Sequence, residues 1–430
     1  MDGPTDKSPS PWRWIPTLYF AQGLPFVAAM MLSVVMYKNL GISNAAIAFW
    51  TGWLYLPWVI KPLWSPLVEL LGTKRRWIWG LQLAVGAGFA AVALALPAPV
   101  FFQATLVMFW LLAFASATHD IAADGFYLLA LRPDQQAAFV GVRSTFYRVA
   151  MIAGQGALVW LAGWLQTVTG DVAGSWALVF GSLAGLFVLA AIYHRLVLPR
   201  PAADQAVRAA PTAGADWWAA FATFFRRKDL GIILGFLLLY RLAEAQLVKL
   251  VTPFLLDPRD AGGLGLTTQQ VGIVYGTIGV IALTIGGLAG GWVISRCGLR
   301  RMLWPMLAAI QAPNVVFVFL ALGQPVSPWL IGGAVVVEQL GYGFGFTAYM
   351  VYMMYVAQDG VHKTAHYAIC TGLMALGMML PGMAAGWIQE KLGYVNFFIW
   401  VCLATLPSIA ATARLKIDPA FGRKKAPDAH

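Results

Sequence analysis

The stretch "GIVYGTIGVIALTIGGLAGGWVISRCGLRR", Gly272–Arg301, decides the fold. Residues 272–295 carry no charged side chain, and three arginines follow within six positions. A helix needs ~20 mainly apolar residues to cross the hydrocarbon core of a bilayer, and Lys and Arg collect in cytoplasmic loops. The stretch therefore predicts a spanning helix that ends in the cytoplasm.

The rest of the chain has the same character. Of its 430 residues, 60% are hydrophobic and only 11% are charged, whereas about a quarter of the residues of soluble domains are charged. This composition predicts an all-α integral membrane protein. Twelve segments have the length and apolarity of a span: 14–37, 44–64, 77–96, 101–124, 142–165, 174–197, 230–255, 270–294, 303–323, 328–355, 367–389 and 394–413.

The basic residues predict the orientation. With the N-terminus inside, 22 of the 29 Lys and Arg fall in cytoplasmic segments and three fall outside. We therefore expect both termini in the cytoplasm. The net charge of +11 then reflects topology and anionic lipid, and we expect no nucleic-acid partner.

One long polar segment divides the spans into two groups of six. We expect an N-terminal six-helix bundle at 1–197, a cytoplasmic linker at 198–229, and a C-terminal bundle with a basic cytoplasmic tail at 230–430. Within the linker, Trp217–Phe225 is typical of a short helix on the membrane surface.

The two halves carry related loops. "SPLVELLGTKRR", Ser65–Arg76, follows the second span, and "GWVISRCGLRR", Gly291–Arg301, follows the eighth; Gly72 and Gly298 align. Both loops resemble the G-x-x-x-D-R-x-G-R-R signature of the major facilitator superfamily, in which this loop is a cytoplasmic latch. The resemblance implies twelve transmembrane helices in two six-helix pseudo-repeats. The loop-motif residues are Glu69, Gly72, Arg296, Gly298 and Arg300.

Charged side chains inside the spans point to function. A charge at the bilayer centre costs at least ~2.5–3.5 kcal/mol, so such groups face a cavity or a partner. In "LLLYRLAEAQLVKLV", Leu237–Val251, Arg241 lies near mid-membrane with Glu244 one turn away and Lys249 further along. Arg241 and Glu244 could form a purely structural ion pair. The alternative is a cavity-lining role in substrate or proton handling.

Two further spans present polar stripes. In the tenth span, Glu338, Tyr342 and Tyr349 lie near one helical line, and in the first span Tyr19 and Gln22 share a face. Such tyrosines either line a cavity or pack between helices.

A third group predicts a cytoplasmic gate. Asp120 and Asp124 lie in the cytoplasmic half of the fourth span, at the depth of Lys61, Arg143 and Arg148. These acids and bases could form and break contacts as the two halves rock, or they could be a static cluster at the helix ends.

The sequence does not favour an enzyme. His119 and Asp120 are adjacent, so they point ~100° apart on a helix, and no nucleophile motif or metal-ligand spacing is present. We expect no cofactor and no metal, and nothing argues for more than a monomer.

The order of several motifs resembles that of AmpG-type muropeptide permeases over nearly the whole chain. The motifs are "YFAQGLPF", "SATHDIAADGFY", "LLLYRLAEA", "EQLGYGFGFTAYMVYM" and "KTAHYAI". The resemblance implies proton-coupled import of anhydro-muropeptides for peptidoglycan recycling, and with it a location in the bacterial inner membrane. His119 departs from it, because the family has glutamine there. Import of a siderophore or another solute, and efflux, are the alternatives.

These considerations assign roles to individual residues. Glu244 and Glu338 are expected to couple protons, because an apolar environment favours the protonated form of a carboxylate. The expected substrate-binding residues are Tyr19, Gln22, Arg241, Lys249, Tyr342 and Tyr349. Within that set, the two cations would bind anionic groups such as peptide carboxylates.

Overall fold

The computed structural model describes residues 9–65, 68, 71–202, 204–205, 213–358, 363–419 and 421–422. All regular secondary structure in these residues is helical. Glu69 of the predicted loop motif lies outside them.

The helices follow the predicted spans. In the first six spans they are Ile15–Val27 with Ser33–Asn39, Asn44–Trp53 with Leu56–Ile60, Lys74–Ala95, Phe101–Ala130, Pro133–Ile152 with Val159–Thr169, and Val172–Val197. The linker holds Ala213–Phe225, which confirms a helix around the predicted Trp217–Phe225. The last six spans comprise Leu230–Leu239 with Leu242–Leu256, Thr268–Val271 with Val280–Cys297, Leu299–Gln311 with Val315–Gly323, Pro328–Gln358, Lys363–Leu403 and Leu406–Ala413.

Nine helices of the described residues are long and apolar enough to cross a membrane. One of them, Ala365–Ala413, holds the eleventh and twelfth spans, which bend at Gly393 where φ is +72°. The second span is not among the nine because a turn at residues 54–55 interrupts it. The tenth is also missing, since Glu338 and Gln339 lower its mean hydropathy.

The second span therefore differs from the continuous helix that its hydropathy predicts. It breaks after Trp53, resumes at Leu56–Ile60 and passes into a 3₁₀ turn at Lys61–Leu63. Pro57 and Pro62 lie in these short pieces. Proline has no N–H to donate and clashes with the preceding turn, which explains the interruption.

By their contacts, the residues form two compact units. Unit 1 comprises Met1–Ser33 and Ile60–Ala210, and unit 2 comprises Val34–Val59 and Pro211–His430. In unit 1, the third span packs against the fourth and sixth, and the first packs against the fifth. In unit 2, the tenth span packs against the eighth and ninth, and the eleventh packs against the second and seventh.

Glycines allow close packing of the tenth span. A Cβ at Gly343 would lie 2.0 Å from the carbonyl oxygen of Leu283 in the eighth span. A Cβ at Gly345 would lie 2.4 Å from the carbonyl oxygen of Met306 in the ninth. Such contacts between backbones bring membrane helices together without bulky side chains. They also hold Glu338 of the same helix in a fixed position.

The two matched loops share a backbone requirement. Gly72 has φ +116° and Gly298 has φ +82°, values that only glycine adopts readily. After Gly72, the backbone N–H groups of Lys74 and Arg75 donate to the Asp204 carboxylate at 2.7 and 3.0 Å. The repeat in sequence is thus a repeated tight turn between spans.

The second loop has its own contact. After Gly298, the N–H of Leu299 donates to the carbonyl of Phe421 at 3.0 Å. Arg296 lies over the ring of Trp292, and Arg300 is exposed. In each unit, a segment that follows the last span therefore satisfies a free N–H at the start of a helix.

Candidate functional site: buried charges in the seventh and tenth spans

The seventh span breaks at the charged residue that the sequence singled out. The helix Leu230–Leu239 ends, and Leu242–Leu256 begins after Tyr240 and Arg241. The side-chain amide of Gln311 donates to the carbonyl of Tyr240 at 2.9 Å, which satisfies an acceptor that the break leaves free. Discontinuous helices near mid-membrane are typical of transporter binding sites.

Arg241 does not form the ion pair with Glu244 that the sequence allows. Its guanidinium hydrogen-bonds the hydroxyl of Tyr342 and lies 4.6 Å from the ring centre of Phe346. Both carboxylate oxygens of Glu244 are buried and lack a hydrogen-bond partner, as does Nε of Arg241. The break removes the continuous helix on which i,i+3 pairing depends, and the two side chains interact electrostatically without a direct contact.

Lys249 lies on the same piece of helix as Glu244 and is also buried. Its ammonium donates to the Thr51 hydroxyl at 2.8 Å and lies 5.7 Å from the centre of the Tyr55 ring. Both partners belong to the second span and are neutral. Burying an ammonium without a carboxylate partner costs several kcal/mol, so the charge of Lys249 is poorly satisfied at this position.

Glu338 is buried in the tenth span. Its carboxylate accepts a hydrogen bond from the side chain of Gln339 at 2.9 Å and is close enough to Glu244 to interact electrostatically. Tyr275 of the eighth span also interacts electrostatically with both carboxylates. We call these groups the central cluster, which consists of Thr51, Tyr55, Arg241, Glu244, Lys249, Tyr275, Glu338, Gln339, Tyr342 and Phe346.

Tyr349 borders the central cluster, where its ring stacks on Phe346 with the ring centres 6.1 Å apart, but it belongs to an aromatic core. It is fully buried, its hydroxyl donates to the carbonyl of Leu237 at 2.6 Å, and its ring stacks on Tyr240 at 5.4 Å. Of the two alternatives open for this tyrosine, the contacts favour packing between helices.

In unit 1, the structure brings together part of the predicted gate. Arg143 pairs with Asp124 at 2.9 Å, and the hydroxyl of Tyr19 donates to the same carboxylate at 3.4 Å. The Arg143 guanidinium lies 4.7 Å from the centre of the Tyr19 ring, and Asp120 also acts on it electrostatically. Tyr19 is therefore joined to the acid–base cluster at the end of the fourth span.

Three other predicted residues of unit 1 have different surroundings. Lys61 and Arg148 are half-buried, and Gln22 is buried with its side-chain oxygen lacking a hydrogen-bond partner. Their predicted roles as gate and substrate-binding residues stay predictions.

A chain of polar side chains in unit 1, buried except at Thr17, escaped the sequence reasoning. The Thr17 hydroxyl lies 3.0 Å from His194, whose Nδ1 lies 3.0 Å from Oε1 of Gln82. The amide nitrogen of Gln82 lies 3.2 Å from Nε2 of His119. The chain joins the first, third, fourth and sixth spans. His119 is thus part of a hydrogen-bonded core, whereas in the sequence it stood out only as the neighbour of Asp120 and as a departure from the family pattern.

The comparisons with known proteins agree with this architecture. The family model for the Major Facilitator Superfamily matches residues 17–385. The chain belongs to the Major Facilitator Superfamily. This confirms the predicted family and the predicted fold of two six-helix pseudo-repeats. It also confirms that the chain is a multi-pass membrane protein of the transporter class.

Relatives of this superfamily member include permeases. The anhydromuropeptide permease of Escherichia coli K12 is 27% identical over 401 residues, which cover 91% of this chain and 77% of that protein. The putative transporter AmpG 4 of Rickettsia conorii is 26% identical over 405 residues, covering 91% and 93%. The resemblance to AmpG-type permeases is thereby confirmed.

Solved structures show the same fold. The nucleoside transporter NupG aligns with a TM-score of 0.67 at 17% identity, covering 95% of this chain and 100% of that one. A bacterial homologue of the lysosomal transporter Spinster aligns with a TM-score of 0.68 at 17% identity, covering 94% and 96%.

Proposed function

We propose that this superfamily member is a proton-coupled secondary transporter that imports anhydro-muropeptides across the bacterial inner membrane. The similarity to a permease for anhydromuropeptides supports the substrate class. The observation that carries the mechanism is the central cluster, in which cations and acids are buried beside a broken helix without forming ion pairs.

The cations suit the peptide part of such a substrate. Arg241 and Lys249 each hydrogen-bond a neutral hydroxyl, so a substrate carboxylate would add a charge-assisted hydrogen bond that neither side chain makes in this structure. A charge-assisted hydrogen bond contributes about 1.5–3 kcal/mol. The rings of Tyr342 and Tyr55 offer flat surfaces for a sugar.

The acids suit proton coupling. Glu244 and Glu338 interact electrostatically in a buried setting, and two carboxylates in one apolar site cannot both stay ionised without cost. Protonation of one acid on one side of the membrane, and its release on the other, would link substrate movement to the proton gradient.

The remaining elements complete the proposal. The termini and the basic loops would face the cytoplasm, and the chain would divide into an N-terminal bundle at 1–197, a linker at 198–229 and a C-terminal bundle at 230–430. The pair Asp124–Arg143, with Asp120, Lys61 and Arg148, would be the cytoplasmic gate, and the two glycine turns would form the loop latch.

An uptake assay tests the function directly. Right-side-out vesicles with labelled anhydro-muropeptide should accumulate it when the exterior is acidic, and a protonophore should abolish accumulation. Ferric siderophores and free sugars serve as matched competitors. Preferred uptake of a ferric complex, or outward movement under the same gradient, would replace the proposed function with a siderophore importer or an efflux pump.

A further inference from the structure

A groove on unit 2 lies between the start of the seventh span and the end of the twelfth. It has a volume of about 400 Å³, and its lining includes Gly231 and Gly235 on one side and Ala410 and Ala411 on the other. Lys228 and Arg414 also line it. Six crossings separate these two cations along the chain, so both lie at the same side of the membrane whatever the orientation.

The glycines of this groove have no packing role. A Cβ at Gly231 or Gly235 would meet no neighbouring atom within 4 Å, whereas one at Gly343 would strike a backbone. Glycine in a helix interior costs about 1 kcal/mol relative to alanine. Their effect here is to keep the groove open over one turn of helix.

The charges at the groove are not neutralised by its own lining. None of the residues that the structure places around it is acidic. The nearest acid in sequence, Asp229, pairs with Arg227 at 3.1 Å. Lys228 and Arg414 are both exposed, so their charges can reach a ligand at the membrane surface.

The dimensions suit one end of a lipid. Leu239, the deepest lining residue of the seventh span, lies eleven positions beyond Lys228, which is about 16 Å along a helix. A groove with cations at one end and apolar walls over that distance matches a phosphate headgroup followed by an acyl chain. Basic pockets between membrane helices bind anionic lipid headgroups in this way.

We propose that this groove is a binding site for an anionic phospholipid, with its phosphate between Lys228 and Arg414 and an acyl chain along Gly231 and Gly235. Charge complementarity selects the anionic headgroup, because each cation near the surface contributes to its attraction. The site is independent of the transported substrate.

The headgroup test uses the full-length protein in vesicles of phosphatidylglycerol mixed with phosphatidylcholine, followed by native mass spectrometry of the lipids that stay bound. Wild type should retain phosphatidylglycerol preferentially. The double change Lys228→Gln and Arg414→Gln should lower that preference roughly thirtyfold, at about 1 kcal/mol per cation. Arg226→Gln with Lys416→Gln removes two exposed cations outside the groove and should leave the preference unchanged.

The chain test fills the groove without altering charge. Gly235→Leu should displace the bound phosphatidylglycerol, while Gly185→Leu, at an exposed glycine of the sixth span that also has open space around it, should not. Leucine favours helix more than glycine does, so both variants should fold.

Equal retention of the two lipids by wild type would overturn the proposal. An equal loss of bound phosphatidylglycerol from a groove variant and from its control variant would also overturn it. If Gly235→Leu instead converts a dimer to a monomer and leaves lipid retention intact, a second copy of the chain occupies the groove.

Discussion

Two buried polar regions of this protein differ in how their groups are satisfied. In unit 1, the chain from Thr17 through His194 and Gln82 to His119 places each side chain 3.0–3.2 Å from the next. In unit 2, the Glu244 oxygens have no partner, and Lys249 bonds a hydroxyl where a carboxylate would be the stronger partner. Satisfied polar groups stabilise a fold, whereas unsatisfied ones cost stability and persist where function needs them.

The contrast extends to the cations of unit 2. Lys38 pairs with Asp257 at 2.5 Å and also donates to Asn44 at 2.7 Å. Lys249 is more deeply buried and has no such pair. The charge of Lys38 thus has partners, as the polar side chains of unit 1 do, whereas Lys249 belongs to the central cluster and has no acidic partner.

The largest expected effect is on proton coupling. Glu338→Gln keeps the size and the hydrogen bond to Gln339 but cannot ionise, so proton-driven accumulation of substrate should be lost while exchange of labelled for unlabelled substrate continues. Vesicle uptake with and without a pH gradient measures both. Glu244→Gln is the comparison that shows which acid carries the proton. Wild-type pH dependence in Glu338→Gln would remove this carboxylate from the mechanism.

The next effect is on substrate affinity. Lys249→Met keeps the length of the side chain and removes the charge, so KM for anhydro-muropeptide should rise about 10–150-fold, as expected for a lost charge-assisted hydrogen bond. The free energy of unfolding should not fall, because an unpaired buried charge disappears. Lys38→Met, which breaks an ion pair, should instead lower stability. An unchanged KM in Lys249→Met would show that its charge is not for substrate.

The smallest expected effect is on stability alone. Gln82→Leu removes the hydrogen-bond partner of Nε2 of His119 and one of the partners of His194, so the free energy of unfolding should fall by about 1–3 kcal/mol. Thermal unfolding in detergent measures this, and KM should stay as in wild type. His119→Gln, which retains a hydrogen-bonding side chain, should lose less. A shifted pH profile of uptake without loss of stability would make the chain a functional element.

The span pattern, the loop repeat and the superfamily could all be predicted from sequence. Hydropathy and loop charge are local properties, and they determine which segments insert into a bilayer and in which orientation. The site could be predicted only in part. Arg241, Glu244, Lys249 and Glu338 stand out because charges are rare in apolar segments. Thr51 and Tyr55 do not, since neutral polar side chains are unremarkable in any span.

The sequence by itself determined that this chain crosses a membrane many times, that its halves repeat, and which few ions are buried. Only the tertiary structure decided which of those ions have partners. The tertiary structure interrupts the seventh helix at Arg241, leaves Glu244 without the ion pair that the sequence allowed, and places Thr51 beside Lys249. The physical reason is that partners of buried charges come from helices distant in sequence, and packing across those helices leaves no periodic signal in any one of them.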